Sequence, residues 1–123
     1  ELRGKVVLIE FWGNWCGPCV AAMPNLMDLY EEYRERGVEV IALHDGSVES
    51  VEELDEIVAR LAKEQWNGRK LPFPALLDSP DPTDPGAGHG VNVSAYGITA
   101  FPTTLVIDRQ GAVVGPIHMH DLK

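Results

Sequence analysis

The chain is 123 residues long, enough for one hydrophobic core and short of two ordinary domains, so a single domain over residues 1–123 is expected. Apolar residues make up 45% and charged residues 24%, which argues against a disordered, collagen-like or coiled-coil chain. Ten basic against nineteen acidic residues give a formal charge of −9, which repels phosphate backbones and anionic head groups and sets nucleic acid aside as a partner.

No apolar run approaches the roughly 20 residues needed to span a bilayer. The start Glu1-Leu2-Arg3-Gly4 has neither a signal-peptide pattern nor an initiator Met, so it reads as cut, and any membrane attachment is expected through a missing N-terminal anchor. Compartment stays open on these residues alone.

Lys5 to Phe11 is a nearly continuous β-branched apolar run, the pattern of a strand covered on both faces. From Cys16 to about Arg36 the spacing of Ala22, Leu26, Leu29, Tyr30 and Tyr33 predicts a helix, with Gly37 as its stop and Pro24 as an expected kink. Val38 to Leu43 is a second buried strand, ended by a turn-like His44-Asp45-Gly46. Ser50 and Glu53 form a capping box for a second helix, with Val51, Leu54, Ile57, Val58, Leu61 and Ala62 on one stripe. Lys70 to Asp78 is broken by prolines and fits a short edge strand.

Asp78 to Asn92 is crowded with Pro, Gly and Asp and reads as a surface loop, followed by one helical turn at Val93 to Tyr96. Thr103 to Ile107 and Ala112 to Ile117 flank Asp108-Arg109-Gln110-Gly111, a hairpin signal. A final helix is missing or begins only at Asp121. The alternation of strands and helices followed by a hairpin predicts an α/β sheet with helices on both faces.

Cys16 and Cys19 admit three readings. As a structural crosslink, their loop of about four residues contributes roughly 2 kcal/mol against about 4.7 for a loop of 100, a weak staple. As half of a zinc site they need two further ligands, for which His118 and His120 are available without the spacing of common sites. As a redox couple they explain more of the neighbourhood. A helix beginning at Cys16 places its sulfur among unpaired N–H groups, and about 1–2 kcal/mol of dipole stabilisation lowers a thiol pKa from about 8.5 toward neutrality. Cys19, a turn further in, is then the resolving thiol. Gly17 lets a substrate backbone approach, and Pro18 is tolerated in a first turn, where its missing N–H is unpaired anyway.

Two further features bear on that chemistry. Glu10 lies inside the apolar run Val6 to Phe11; buried, its pKa is raised and it can exchange a proton with Cys19, whereas at a strand edge it reaches solvent. Phe101-Pro102 precedes an apolar strand, and a cis bond there turns the Phe101 backbone outward to pair with an extended substrate beside Cys16. X-Pro bonds are cis in only about 5–6% of cases, so the local residues leave this open.

Several of these segments together resemble the thioredoxin superfamily, and more closely the exported TlpA/ResA-like thiol-disulfide oxidoreductases. They are Glu10-Phe11-Trp12, Trp15-Cys16-Gly17-Pro18-Cys19, Pro24, Gly37 to Ile41, Phe73 to Asp78, Tyr96-Gly97-Ile98, Phe101-Pro102-Thr103-Thr104 and Ile107 to Gly111. The likeness spans nearly the whole chain. It implies a thioredoxin-like mixed sheet, a cis Pro102 packed on a Cys16–Cys19 disulfide, a buried acid at Glu10 and a substrate groove of Trp15, Gly17, Pro18 and Phe101.

The implied function is exchange of the Cys16–Cys19 couple with protein thiols and disulfides, as a reductant fed by an upstream electron donor. The couple is the only cofactor expected, no metal is, and a monomer exported to or anchored facing the periplasm is implied, with a cytoplasmic site left open. The runner-up is a non-catalytic adaptor or metal carrier, and a peroxidase is a third reading. The 78–92 segment departs from the family pattern, and Asp81, Asp84 and His89 within it are read as solvated rather than cation-binding.

Overall fold

The computed structural model describes residues 4–79 and 90–117. Strand β1 (Val6–Trp12) is followed by helix α1 (Gly17–Tyr33) and a 3-10 turn at Arg34–Arg36. Gly37 then takes φ +86, a left-handed conformation that costs an L side chain energy and that ends the 3-10 turn, so α1 itself stops three residues before the expected Arg36. Strand β2 (Val38–His44), helix α2 (Val51–Glu64), strand β3 (Ala75–Leu77), helix α3 (Val91–Ala95) and strands β4 (Thr103–Ile107) and β5 (Val113–Ile117) complete the order.

The five strands form one mixed sheet in the order β3-β2-β1-β4-β5. β2 lies parallel to β1 and β3, while β4 runs antiparallel to β1 and β5. The parallel pairs need helical crossovers, which α1 and α2 supply; the antiparallel pair β4–β5 needs only the tight turn at Asp108. There the Asp108 carboxylate accepts from the Gln110 and Ala112 N–H groups at 3.0 and 2.9 Å. The expected α/β architecture is therefore the one found, with β3 short and at the edge.

Alternation along β1 sorts the core. Leu8 and Trp12, with Val40 and Ala42 of β2, pack against α1 and α2. Phe11, with Leu43 and Leu105, packs under Val93 of α3 on the opposite face. Helices thus cover both faces, as expected.

Three local readings are corrected. The buried stripe of α1 is centred on Met23, Leu26, Met27 and Tyr30, leaving Ala22, Leu29 and Tyr33 at its margins. Val51 is exposed at the first position of α2, because the helix turns its face to the core only from Leu54 onward. α3 starts at Val91, two residues inside the expected loop, because the buried Asp78 carboxylate accepts from the Asn92 and Val93 N–H groups and builds the helix start. Residues 80–89, with Asp81, Asp84 and His89, and residues 118–123, with His118, His120 and Asp121, lie outside the described residues.

α1 continues through Pro24 as one helix. Proline has no N–H for the Val20 carbonyl four residues back. That oxygen is instead met by the indole of Trp66, a buried residue just after α2, which donates at 2.8 Å. Among the described residues no helix is long and apolar enough to cross a membrane.

Candidate active site

Cys16 is the N-cap of α1, in extended conformation (φ −101°, ψ 103°). Its N–H donates to Gly13 O at 3.1 Å, and its sulfur accepts the Cys19 N–H at 3.3 Å, one of the donors that a helix start leaves unpaired. Cys16 and Cys19 are joined by a disulfide with Cα atoms 5.2 Å apart. Cys16 is 6% exposed and Cys19 is fully enclosed, so an incoming group meets Cys16 first. Pro18 falls in the first turn, where its lack of an N–H costs nothing, and both it and Gly17 are exposed. Nothing lies within 4 Å of where a Gly17 Cβ would stand, which leaves the approach to Cys16 clear on that side.

The chain returns to the site at Phe101-Pro102, whose peptide bond is cis. The Phe101 carbonyl oxygen lies 3.7 Å from Cys16 Sγ, and its ring meets the exposed Trp15 indole edge-on at 5.3 Å. Trp15, Gly17 and Pro18 flank Cys16 along the chain, and Phe101, followed by Pro102, approaches it from the other side.

Glu10 is fully buried. It sits between Leu8 and Trp12 on the face that α1 covers, which rules out the solvent-reaching strand edge. Thr104, opposite it on β4, donates its hydroxyl to Oε1, while Oε2 is enclosed without a partner. Burial pushes the carboxyl above its ordinary value, and the Thr104 hydrogen bond offsets only part of that.

Two site residues escaped the sequence reading. His44 and Asp45, taken as a turn, are both buried at the end of β2, where pairing of His44 with Trp12 brings them beside the loop into Cys16. His44 Nε2 accepts the Asn14 N–H at 2.9 Å, and Asp45 Oδ2 accepts the Trp15 indole N–H at 3.0 Å. Burial alone would raise the Asp45 pKa. Hydrogen bonds from His44, the Ser47 hydroxyl and the Ser47 N–H, together with the imidazole alongside, outweigh burial and hold the carboxyl below its ordinary value. The readable signal was alternation: His44 continues the buried register of Val40 and Ala42.

A sheet of this order, with a cysteine pair on the helix that leaves its central strand, is the thioredoxin-like fold. The chain belongs to the AhpC/TSA family, whose profile matches residues 1–115. It is 34% identical over 117 residues to the thiol-disulfide oxidoreductase ResA of Bacillus thuringiensis subsp. konkukian, covering 95% of this chain and 57% of that protein. Over 115 residues it is 37% identical to ResA of Halalkalibacterium halodurans, covering 93% of this chain and 54% of that protein. The chain thus spans little more than half the length of these relatives.

Among solved structures, a thiol-disulfide isomerase from Corynebacterium glutamicum superposes with a TM-score of 0.73 at 26% identity, covering 94% of this chain and 71% of that one. StoA from Bacillus subtilis superposes at 0.65 and 22%, covering 98% and 81%, a likeness of fold.

Proposed function

We propose that this chain is a thiol-disulfide oxidoreductase that reduces disulfides in protein substrates, with Cys16 as nucleophile and Cys19 as resolving thiol. The observation that carries the reading is the Cys16 sulfur at the N-cap of α1, the less enclosed of the pair, with Cys19 fully enclosed a turn behind. In the reduced form the helix N-terminus stabilises the Cys16 thiolate. This thiolate attacks one sulfur of a substrate disulfide, forming a mixed disulfide and releasing the other sulfur as a thiolate. Cys19 then attacks Cys16 Sγ, closing the Cys16–Cys19 bond and releasing the second substrate thiolate. Two electrons pass to the substrate, and an upstream dithiol donor restores the pair.

The Cys19 proton goes to the Glu10 carboxylate, whose raised pKa suits it to take up and return a proton. An extended substrate segment lies across the contacting Trp15 and Phe101 rings, over Gly17, Pro18 and Pro102, with the Phe101 backbone as its pairing partner. The Cys16–Cys19 couple is the only redox group in this scheme, and the protein acts as an exported monomer, the setting that the TlpA/ResA resemblance implies.

Insulin reduction with dithiothreitol as donor tests the reading. The wild type accelerates it and Cys16→Ser does not. A folded but inactive wild type favours the adaptor, and peroxide consumption that depends on Cys16 but persists without Cys19 favours a peroxidase.

A further inference from the structure

We propose that His44 is a positioning residue of this exchange site, holding the Asn14–Trp15 segment in the place from which Cys16 and the substrate groove are presented. The inference rests on the proposed function and extends it to a residue outside the cysteine, carboxylate and proline set.

His44 is a fully buried polar side chain packed edge-on against Trp12, with ring centroids 4.9 Å apart. A buried imidazole is stable when both nitrogens are partnered. Nδ1 lies 2.9 Å from the Asp45 carbonyl oxygen, an acceptor to which it donates when it carries the ring proton. Nε2 lies 2.9 Å from the Asn14 backbone N and 3.0 Å from Asn14 Oδ1; we take the tautomer with the proton on Nδ1, in which Nε2 accepts the main-chain N–H. The carboxylate of Asp45 also stands 3.3 Å from Nδ1 and holds the Trp15 indole through Oδ2. Asp45 N–H donates back to Trp12 O at 3.1 Å, closing the contact between the two strand ends.

One imidazole therefore grips the residue two before Cys16 directly and orders the carboxylate that grips the residue one before it. The turn has little slack, since a Cβ on Gly13 would overlap the Trp15 indole. Trp15 in turn meets Phe101, the other wall of the groove. Losing the His44 acceptor leaves an N–H unpaired and frees the segment to shift, which matters for a protein substrate spanning Trp15 and Phe101. A small reagent needs only the sulfur.

The test compares His44→Leu, which removes both ring contacts, with His44→Gln, whose side-chain oxygen can occupy the Nε2 position and accept from Asn14. Initial rates of insulin reduction over a range of insulin concentrations are read beside iodoacetamide alkylation of Cys16 in the reduced protein. His44→Leu raises KM about tenfold, the scale of one lost hydrogen bond, with kcat and alkylation within about twofold of wild type. His44→Gln restores KM to within about twofold.

An unchanged KM in folded His44→Leu overturns the proposal, and so does a parallel loss of KM, kcat and alkylation, which a purely structural role produces. A wild type without insulin activity overturns the proposed function and this inference with it, whereas an active wild type with an indifferent His44→Leu overturns the inference alone. If His44→Leu does not fold, the imidazole nitrogen spectrum of the wild type decides: a protonated Nδ1 with a bare Nε2 supports the grip on the Asn14 main chain, and a protonated Nε2, which would donate to Asn14 Oδ1 instead, overturns it.

Discussion

The repair of α1 at Pro24 makes a quantitative prediction, because the Trp66 indole replaces a hydrogen bond that the helix cannot make for itself. Trp66→Phe keeps an aromatic ring in the buried site and removes the donor. The Val20 carbonyl is then buried and unpaired, which costs about 1–3 kcal/mol, with about 1 kcal/mol more for the smaller ring. In a Pro24→Ala background the helix regains a backbone N–H at position 24 that donates to Val20 O, so the same Trp66→Phe change costs only the packing. The two substitutions are therefore coupled by about 1–2 kcal/mol. Urea unfolding of the oxidised protein, followed by far-UV circular dichroism, measures all four corners of the cycle. With a slope of about 1–3 kcal/mol/M, a coupling of this size displaces midpoints by roughly 0.3–2 M. Costs that add within about 0.5 kcal/mol would falsify the assignment of Trp66 as the partner of the Val20 carbonyl.

Glu10 gives a pH dependence with a definite sign. Its folded-state pKa lies above the ordinary 4.5, so its contribution to stability is full below that value and is lost as pH rises through the folded value. Within that window wild type loses up to about 1.4 kcal/mol per pH unit relative to Glu10→Gln. Urea titrations of both oxidised proteins between pH 5 and pH 8 check this, and parallel curves would remove Glu10 as a group with a raised pKa. Cys19→Ser, which lacks the resolving thiol, accumulates a mixed disulfide with insulin that mass spectrometry detects on Cys16; a variant that turns over without trapping substrate contradicts the two-step scheme.

What the sequence made legible was the part governed by short-range pattern. The β1 run, the Ser50 cap of α2, the Gly37 stop and the turn between β4 and β5 all follow from local spacing and turn chemistry, and the structure places them within one or two residues. The cysteine spacing located the N-cap of α1, because a strand, a Gly-Pro turn and an apolar helix succeed one another there. What stayed hidden depends on partners distant in the chain. Asp78 sits among turn-forming residues, yet its carboxylate is enclosed by N–H groups 14 and 15 residues later. His44 and Asp45 look like a turn because Asp-Gly is a turn dipeptide, and only the register of β2 against β1 shows them beside Asn14 and Trp15. Glu10 was ambiguous for the same reason: burial is decided by which face α1 covers.

The measurement closest to the central claim is the pH dependence of iodoacetamide alkylation at Cys16 in the reduced protein, since attack on substrate depends on how readily that sulfur ionises where it opens α1. The account predicts a midpoint about one unit or more below the ordinary thiol value of about 8.5. A midpoint at or above about 8.5 in the folded, reduced protein contradicts it.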